Sequence, residues 1–366
     1  MSSKIGDVLL VGSVPFDTVE DVMETCAGSL GAHAYALPDG EIGERRNWIQ
    51  ALPSLVYSKI PELEPIRVVR PEDVKSPSSH DPEAMKATRG TYTLKPGVTE
   101  FTMELPYAAD AIKAYEVFRK MREAGDITPG VRFQASLPCT VDATVGFFPD
   151  PADHPVVIRA YERAIQADID KLLQHVPADD LVIQWDYCSE VLDILGARKE
   201  YLDGESGIAA LSQEDRIRKY TSRDYLAPMT ETIPDAVLMG YHLCYGTWGG
   251  WPMTEVEDIS LCVRLANDLV KNTPRRVDFF HLPAMRDAGD AFFKPLEDLD
   301  IGEAKVFLGL ELADGVDAMV LRAEAARKYL PDFGVAHYCG YGRQEPARVR
   351  ELLADLAAGA DQIATR

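Results

Sequence analysis

Histidine and cysteine side chains end three of the apolar runs in this sequence, at spacings that suit a metal ion. His242 and Cys244 end the run VLMGYHLC, and because side chains alternate along a strand, both face the same side. His281 ends the run RVDFFHLP, and Cys339 ends the run GVAHYC. Imidazole and thiolate are ligands that Zn²⁺ prefers, and four such donors complete a tetrahedron. These four residues are therefore a candidate zinc site.

Each of these donors also has a simpler interpretation as a core residue. A His-x-Cys pair arises often by chance, and a cysteine within an apolar strand is usually a small buried side chain. The six cysteines form no Cys-x-x-Cys pair, and their wide spacing favours buried thiols or a metal site over disulfides. Of the others, Cys26 and Cys262 are predicted within helices, whereas Cys139 and Cys188 follow strands and are candidates to line a pocket.

The elements that must position these donors alternate in a regular way. Short apolar runs rich in β-branched and aromatic residues alternate with stretches of helical period, which is typical of βα units around a parallel sheet. The predicted strands cover 7–13, 33–41, 132–139, 181–187, 237–244, 276–283, 304–312 and 334–340. The predicted crossover helices include 155–175, 254–271, 316–330 and 346–361. Eight repeats predict an α/β fold, a (β/α)8 TIM barrel, with its active site at the carboxyl ends of the strands.

Residues 42–105 interrupt this alternation after the second predicted strand. They contain many prolines, a polar stretch and an alternating run near 97–104, and we interpret them as an inserted, lid-like segment with a hairpin. Residues 194–212 and the Gly/Trp-rich stretch 246–251 are predicted to be loops at the same face. The expected organisation is a single catalytic domain over 1–366, with a two-domain split as the alternative.

The composition narrows the classes of partner. With 38 Lys+Arg against 59 Asp+Glu, the formal charge is −21, so phosphate backbones and anionic lipid would repel the chain. We therefore expect neither a nucleic-acid nor a membrane partner, and small-molecule chemistry is favoured. There is no secretory signal pattern and no apolar run long enough to span a bilayer, which predicts a cytoplasmic protein. A homo-oligomer is left open.

Several motifs, in order along the chain, resemble the catalytic barrel of cobalamin-independent methionine synthase. That family lies in a superfamily with uroporphyrinogen decarboxylase and epoxyalkane:coenzyme M transferase. The motifs that carry the resemblance are VGSVP (11–15), PDGEIGERRNWI (38–49), IQWD (183–186), HLCYG (242–246) and YCGYGR (338–343). They resemble, respectively, the family's first Gly-Ser turn, its HGE-x-ERNDMV segment, its IQIDEP strand, its H-x-C-Y element and its D-C-G-x-x-x-R element.

Position by position, the resemblance implies that His242, Cys244 and Cys339 are zinc ligands. The family's fourth, weaker ligand is a glutamate at the end of the sixth strand, where this chain has His281. We expect His281 to be the fourth ligand; the alternative is a hydrogen-bonded core histidine. The short architecture resembles members that take alkyl groups from carriers other than folate.

The same resemblance implies that Ser13, Glu41 and Asp186 hold an amino-acid thiol, with the two carboxylates as catalytic residues that neutralise its ammonium group. The simpler alternatives are that Ser13 caps a turn and that Glu41 pairs with Arg45 or Arg46. Asp186 follows an apolar strand, and a buried carboxylate needs a partner.

Two regions depart from the family pattern or go beyond it. The family's catalytic histidine after the seventh strand is absent, and the chain has Glu311, Asp314 and Asp317 there. Aromatic residues crowd the strand ends, where they either stack on a planar donor or pack the loops. They are Trp185, Tyr187, Tyr241, Tyr245, Trp248, Trp251, Tyr338 and Tyr341. We assign Tyr245 and Trp248 to the substrate site.

The predicted function is a zinc-dependent transferase of methyl or alkyl groups, with a small-molecule thiol and an alkyl donor as partners. Zn²⁺ is the expected cofactor because it converts a bound thiol to a thiolate near neutral pH. Two other functions remain open. One is a decarboxylase- or lyase-like enzyme on the same barrel with Asp186 as acid or base. The other is a non-enzymatic binding protein that zinc stabilises.

Overall fold

Eight parallel strands form a sheet that curls into a barrel. The structure is a computed structural model and describes residues 6–197 and 211–365, so most of the predicted loop 194–212 lies outside the described residues. The barrel strands are β1 (Val8–Leu9), β2 (Ala36–Pro38), β5 (Arg132–Pro138), β6 (Leu181–Tyr187), β7 (Leu238–Leu243), β8 (Phe279–Pro283), β9 (Lys305–Glu311) and β10 (Gly334–His337). Their order in the sheet is β1-β10-β9-β8-β7-β6-β5-β2.

The two edge strands of this sheet, β1 and β2, meet where the barrel closes. A parallel bridge joins Val8 to Ala34, and the Tyr35 N–H donates to the Val8 carbonyl at 2.8 Å. All eight predicted strands are confirmed, and the architecture is the predicted (β/α)8 barrel.

Helices surround the barrel, and their apolar faces cover it. The α-helices are Val19–Leu30, Leu52–Leu55, Pro82–Ala87, Tyr107–Ala124, Thr140–Ala143, His154–His175, Ser189–Ile194, Gln213–Tyr220, Arg223–Thr230, Ser260–Asn272, Asp290–Phe293, Val316–Arg327 and Pro346–Ala364. The 3₁₀ segments are Gly31–His33, Gly43–Ala51, Tyr57–Lys59, Pro71–Asp73, Val145–Phe147, Ala178–Asp180 and Lys294–Asp298.

The helix predicted from residue 254 begins only at Ser260, so that prediction was six residues too early. Within the described residues, no helix has the length and apolarity to cross a membrane.

The interior of the barrel is apolar at the amino ends of the strands and polar toward their carboxyl ends. At the amino ends of the strands, a small apolar cluster fills the centre: Leu9, Ala36, Val182, Phe279, Phe307 and Ala336. Further along, two glutamines replace it, and the side-chain amides of Gln134 and Gln184 donate to the carbonyls of Leu10 and Val11. Since buried polar groups need partners, these bonds let a polar layer sit beneath the carboxyl ends of the strands.

The segment 42–105 contains a hairpin, and this hairpin does not include the alternating run near 97–104. Strands β3 (Leu63–Arg67) and β4 (Thr91–Leu94) pair antiparallel. Residues 97–104 form neither helix nor strand. Their alternation has another cause: Phe101 and Met103 are buried against the core while their neighbours are exposed. A one-sided packing surface therefore produced a strand-like pattern without a strand partner.

Candidate metal and substrate site

A cleft opens at the carboxyl ends of the strands, as the barrel architecture requires. Its volume is about 930 Å³, including the part open to solvent at the mouth. Seven of the predicted site residues line it: Ser13, Glu41, Asp186, His242, Cys244, Trp248 and Cys339. Two others, Tyr245 and His281, do not. The fold thus gathers residues from β6, β7 and from the turns after β1, β2 and β10 into one cleft.

Three soft donors converge at the base of this cleft. The ligand atoms of His242, Cys244 and Cys339 all lie within 4.8 Å of one another. The Cys244 and Cys339 sulfurs are 3.7 Å apart, and the Cys339 sulfur is 3.6 Å from His242 Nε2. A zinc tetrahedron has edges of about 3.8 Å between sulfurs and about 3.6 Å between sulfur and nitrogen. These two edges therefore match those of a zinc site, and the two sulfurs are too far apart for a disulfide.

The electrostatics of the three donors also suit a dication. Burial lowers the pKa of His242, so its imidazole is neutral and can offer a lone pair. The neighbouring Cys244 thiol and burial raise the pKa of Cys339, and the pKa of Cys244 is raised as well, so both thiols hold their protons in the absence of a cation. A bound Zn²⁺ would reverse that preference because a coordinating thiol loses its proton.

His281, predicted as the fourth ligand, is buried next to this group but is not one of its three converging donors. Both of its ring nitrogens already have partners: Nδ1 is 2.7 Å from His242 Nδ1, and Nε2 is 3.0 Å from the His337 carbonyl oxygen. Burial lowers the pKa of His281 to about 4, so the ring carries one proton. A carbonyl only accepts, so we assign that proton to Nε2, which satisfies the His337 carbonyl and leaves Nδ1 as an acceptor for His242.

This assignment determines the tautomer of His242. Its Nδ1–H donates to His281 Nδ1, and its Nε2, which lies 3.6 Å from the Cys339 sulfur, keeps its lone pair. Metal-bound histidines usually donate their second N–H to a fixed acceptor in this way. The alternative interpretation of His281, a hydrogen-bonded core histidine, therefore describes its contacts, and its ring orients the His242 imidazole.

Glu41 and Asp186 bring two buried carboxyl groups to the same cleft. Glu41 accepts a hydrogen bond from the Ser13 hydroxyl, and Asp186 accepts one from the Gln184 amide at 2.9 Å. Burial, with the nearby Glu41 charge second, raises the pKa of Asp186 well above its usual range. Burial likewise raises the pKa of Glu41. Two close carboxyls with raised pKa values form a site that a cation would stabilise.

The two arginines near Glu41 form their direct ion pairs with other carboxylates. Arg45 pairs with Asp39 at 2.6 Å, and Arg46 pairs with Asp17 at 2.8 Å. Among the described ion pairs, neither arginine is joined to Glu41. The Arg45 charge nevertheless lowers the pKa of Glu41 against the effect of burial, so the sequence alternative describes an attraction without a direct ion pair.

The backbone around Glu41 is held in a constrained conformation. Glu41 has φ of 53°, in the left-handed region that side-chain-bearing residues rarely adopt. The preceding Gly40 has φ of 80°, and a Cβ there would lie 2.6 Å from a Val22 methyl. A Cβ on Gly342 would lie 2.8 Å from Ser13 Cβ. Close packing thus orients both the Ser13 hydroxyl and the Glu41 carboxyl, the kind of local strain often found at functional sites.

The two aromatic residues assigned to the site have different surroundings. Trp248 lines the cleft, its indole N–H donates to Thr88 Oγ1 at 3.0 Å, and the Arg343 guanidinium lies 5.1 Å from its ring. Tyr245 lies outside the cleft, where its hydroxyl is 3.0 Å from the Cys262 sulfur. Most of the other aromatic residues at the strand ends are buried, so loop and wall packing accounts for them.

Several residues that line the cleft were not assigned to the site from the sequence, among them Arg89, Cys188 and Arg343. Arg89 and Arg343 line the cleft, and they come from the inserted segment and from the turn after β10. Cys188 lines it too, which the pattern allowed, whereas Cys139 is buried outside it. A signal for Cys188 was present: both LVIQWDYC and VLMGYHLC end in cysteine.

The acidic residues after β9 do not replace the family's catalytic histidine. Glu311 is buried with its Oε2 3.5 Å from His337 Nε2, and it does not line the cleft. Burial raises its pKa to about 7. Asp314 pairs with Arg322 at 2.6 Å. These carboxylates belong to the packing around β9 and β10.

Two solved structures with a similar fold carry descriptions as B12-independent methionine synthases. The chain resembles one from Shewanella sp. W3-18-1, solved in complex with selenomethionine, over 99% of its own length and 98% of the other, with 12% identity and a TM-score of 0.64. It also resembles a protein from Listeria monocytogenes assigned as a vitamin-B12-independent methionine synthase, over 97% and 96% of the two chains, with 14% identity and a TM-score of 0.53. No protein-family model and no curated protein sequence matches the chain. At these identities the likeness establishes the fold, and activity must be argued from the cleft.

Proposed function

We propose that this protein is a zinc-dependent methyl or alkyl transferase that activates a small-molecule thiol. The observation that carries the proposal is the triangle of His242, Cys244 and Cys339, whose edges of 3.7 and 3.6 Å match a zinc tetrahedron. The triangle lies in a solvent-open cleft. An open position is typical of a catalytic zinc site rather than a structural one.

The chain's own residues supply what such a reaction needs. Zinc, when bound, would hold the thiol as a thiolate, whose free pKa of about 8.5 otherwise leaves it mostly protonated. Glu41 and Asp186 would bind an ammonium group and so orient an amino-acid thiol, and Ser13 fixes the Glu41 carboxylate. Orientation of this kind contributes to rate by holding the nucleophile in place.

The alkyl donor would enter past the upper wall of the cleft. Trp248 offers a flat surface, and Arg89 and Arg343 offer positive charge for an anionic part of the donor. The inserted segment contacts the loop 246–251 directly, since Ser76 Oγ accepts from the Gly249 N–H at 3.1 Å. We propose that these two segments together form a lid that excludes water.

Elemental analysis combined with an alkylation assay tests the function. Purified protein should contain one zinc per chain, and Cys339→Ser should lose most of it, while Cys262→Ser, a buried helical cysteine away from the cleft, should keep it. Homocysteine, coenzyme M and glutathione are then tested with methylfolate and simpler alkyl donors, and the thioether is measured by mass spectrometry. Unchanged zinc in Cys339→Ser would contradict the site.

The two other functions give different results in the same experiments. A lyase with Asp186 as acid or base would keep its activity after chelation. A binding protein that zinc stabilises would unfold after chelation, as followed by circular dichroism. The proposed transferase loses activity and keeps its fold.

A further inference from the structure

Strands β6 and β7 end in the same way, and their register places two cysteines side by side. Asp186 is the Cα partner of His242, and Tyr187 is the partner of Leu243. Cys188 and Cys244 are the first residues after these two paired strand ends, and Cys188 precedes the helix Ser189–Ile194. Both cysteines line the cleft.

The side-chain contacts agree with this register. The side chains of Cys188 and Cys244 pack in one small cluster with Leu192, and Cys339 packs against its edge. Cys188 is only 7% exposed, yet it lines the cleft. Asp142 anchors its backbone, since the carboxylate accepts from the Cys188 N–H at 3.1 Å.

We infer that Cys188 is the fourth protein ligand of the metal, which gives a site of three cysteines and one histidine. This inference rests on the proposed function, because it requires zinc at His242, Cys244 and Cys339. A tetrahedral zinc ion has four ligands, and the triangle supplies three. His281 is not available because both ring nitrogens have partners.

Cys188 reaches the metal by a small movement. It lies outside the group of donors that are all within 4.8 Å of one another, although it touches Cys244. A rotation about its Cα–Cβ bond moves the sulfur while the backbone stays anchored on Asp142. Cys188 is therefore the outermost ligand, on the wall of the cleft. A substrate thiol would take its place on the metal and pass its proton to the Cys188 sulfur, which restores the open position that the proposed function requires.

The third thiolate changes the charge of the site. Zn²⁺ with two thiolates and neutral imidazole is formally neutral, whereas Zn²⁺ with three thiolates and one imidazole has a formal charge of −1. The extra negative charge raises electron density on the sulfurs, and an all-soft ligand set favours Zn²⁺ over harder divalent ions.

X-ray absorption at the zinc edge of the wild-type protein tests this directly. The sample is kept free of added thiols and reduced with a phosphine, so that every sulfur neighbour belongs to the protein. We expect three sulfur neighbours at about 2.3 Å and one nitrogen neighbour at about 2.0 Å. Two sulfurs with bound zinc would overturn the role of Cys188 and leave the proposed function intact. Absence of bound zinc would overturn both.

A matched pair of variants tests the assignment to Cys188. Cys188→Ser should keep one zinc per chain but show two sulfur neighbours, and its cobalt-substituted form should lose about one third of the thiolate-to-metal charge-transfer intensity. Cys139→Ser, at a buried cysteine that follows the adjacent strand β5, should retain three sulfurs and full intensity. Three sulfurs in folded Cys188→Ser would overturn the inference. If that variant does not fold, the wild-type count decides.

Discussion

The His281 ring sets which nitrogen of His242 faces the metal, so replacing it should weaken zinc binding without abolishing it. In His281→Phe the ring shape is retained and both nitrogens are lost. In the wild-type protein, His242 Nδ1 lies 2.7 Å from its acceptor, His281 Nδ1. In the variant, the Nδ1–H of His242 would have no partner in a buried site. The other tautomer would then place a proton on Nε2, the atom that faces Cys339.

The size of the effect follows from these contacts. Loss of a partner that orients a metal-bound histidine weakens metal affinity by about 10- to 100-fold, or about 1.4 to 2.8 kcal/mol. A buried donor left without an acceptor costs about 1 to 3 kcal/mol, which agrees in size. His281 is fully buried and its pKa is lowered to about 4, so it contributes as a neutral acceptor.

Competition with a chromophoric chelator measures the zinc Kd, and X-ray absorption counts the ligands. We expect a weaker Kd with unchanged sulfur and nitrogen counts in His281→Phe. The control is His33→Phe, which also breaks a histidine hydrogen bond, the one to Asp7 at 2.8 Å, but lies outside the cleft. An unchanged Kd would refute the orienting role. Loss of one nitrogen neighbour would show that His281 is itself a ligand.

Three further outcomes can be measured. Asp186→Asn should weaken homocysteine binding by about 2 to 5 kcal/mol, because the substitution removes one of the two negative charges that face the ammonium group. Binding of 4-mercaptobutanoate, which lacks the amine, should not weaken. Equal weakening for both ligands in calorimetry would contradict the assigned role. Glu311→Gln removes a carboxyl group, and burial raises the pKa of this group from 4.5 to about 7. Because the folded state holds the proton to higher pH than the unfolded state, the wild-type protein loses stability as the pH rises through this range. The variant should therefore gain about 3 kcal/mol in free energy of unfolding above pH 8 and almost nothing near pH 4, as measured by urea titration. Chelation should remove activity and leave the far-ultraviolet circular dichroism unchanged, whereas loss of the helical signal would indicate a structural metal.

The sequence by itself determined the barrel and much of its site. Apolar runs and helical periods are local patterns, and eight repeats of them specify parallel strands with helices between. Alternation along one strand placed His242 and Cys244 on the same side without any tertiary information. Barrel architecture then placed Cys339 at the same end, because the carboxyl ends of parallel strands meet there.

Only the tertiary structure decided contacts that depend on neighbouring strands and side-chain rotation. The position of His281 at a strand end is visible in the sequence, but its hydrogen bonds to His242 and to the His337 carbonyl are not. The same holds for Cys188, whose neighbour is set by the register between β6 and β7. Register joins residues far apart in sequence, so no local pattern records it.

The inserted segment is a further case in which the sequence predicted burial and the tertiary structure decided backbone pairing. Its alternating run near 97–104 is a real one-sided packing pattern, yet the hairpin pairs Leu63–Arg67 with Thr91–Leu94. Burial of one face and hydrogen bonding to a partner strand produce the same periodicity of two, and only the partner distinguishes them. The sequence therefore determined which side chains are buried in this segment, and the tertiary structure determined which backbone groups pair.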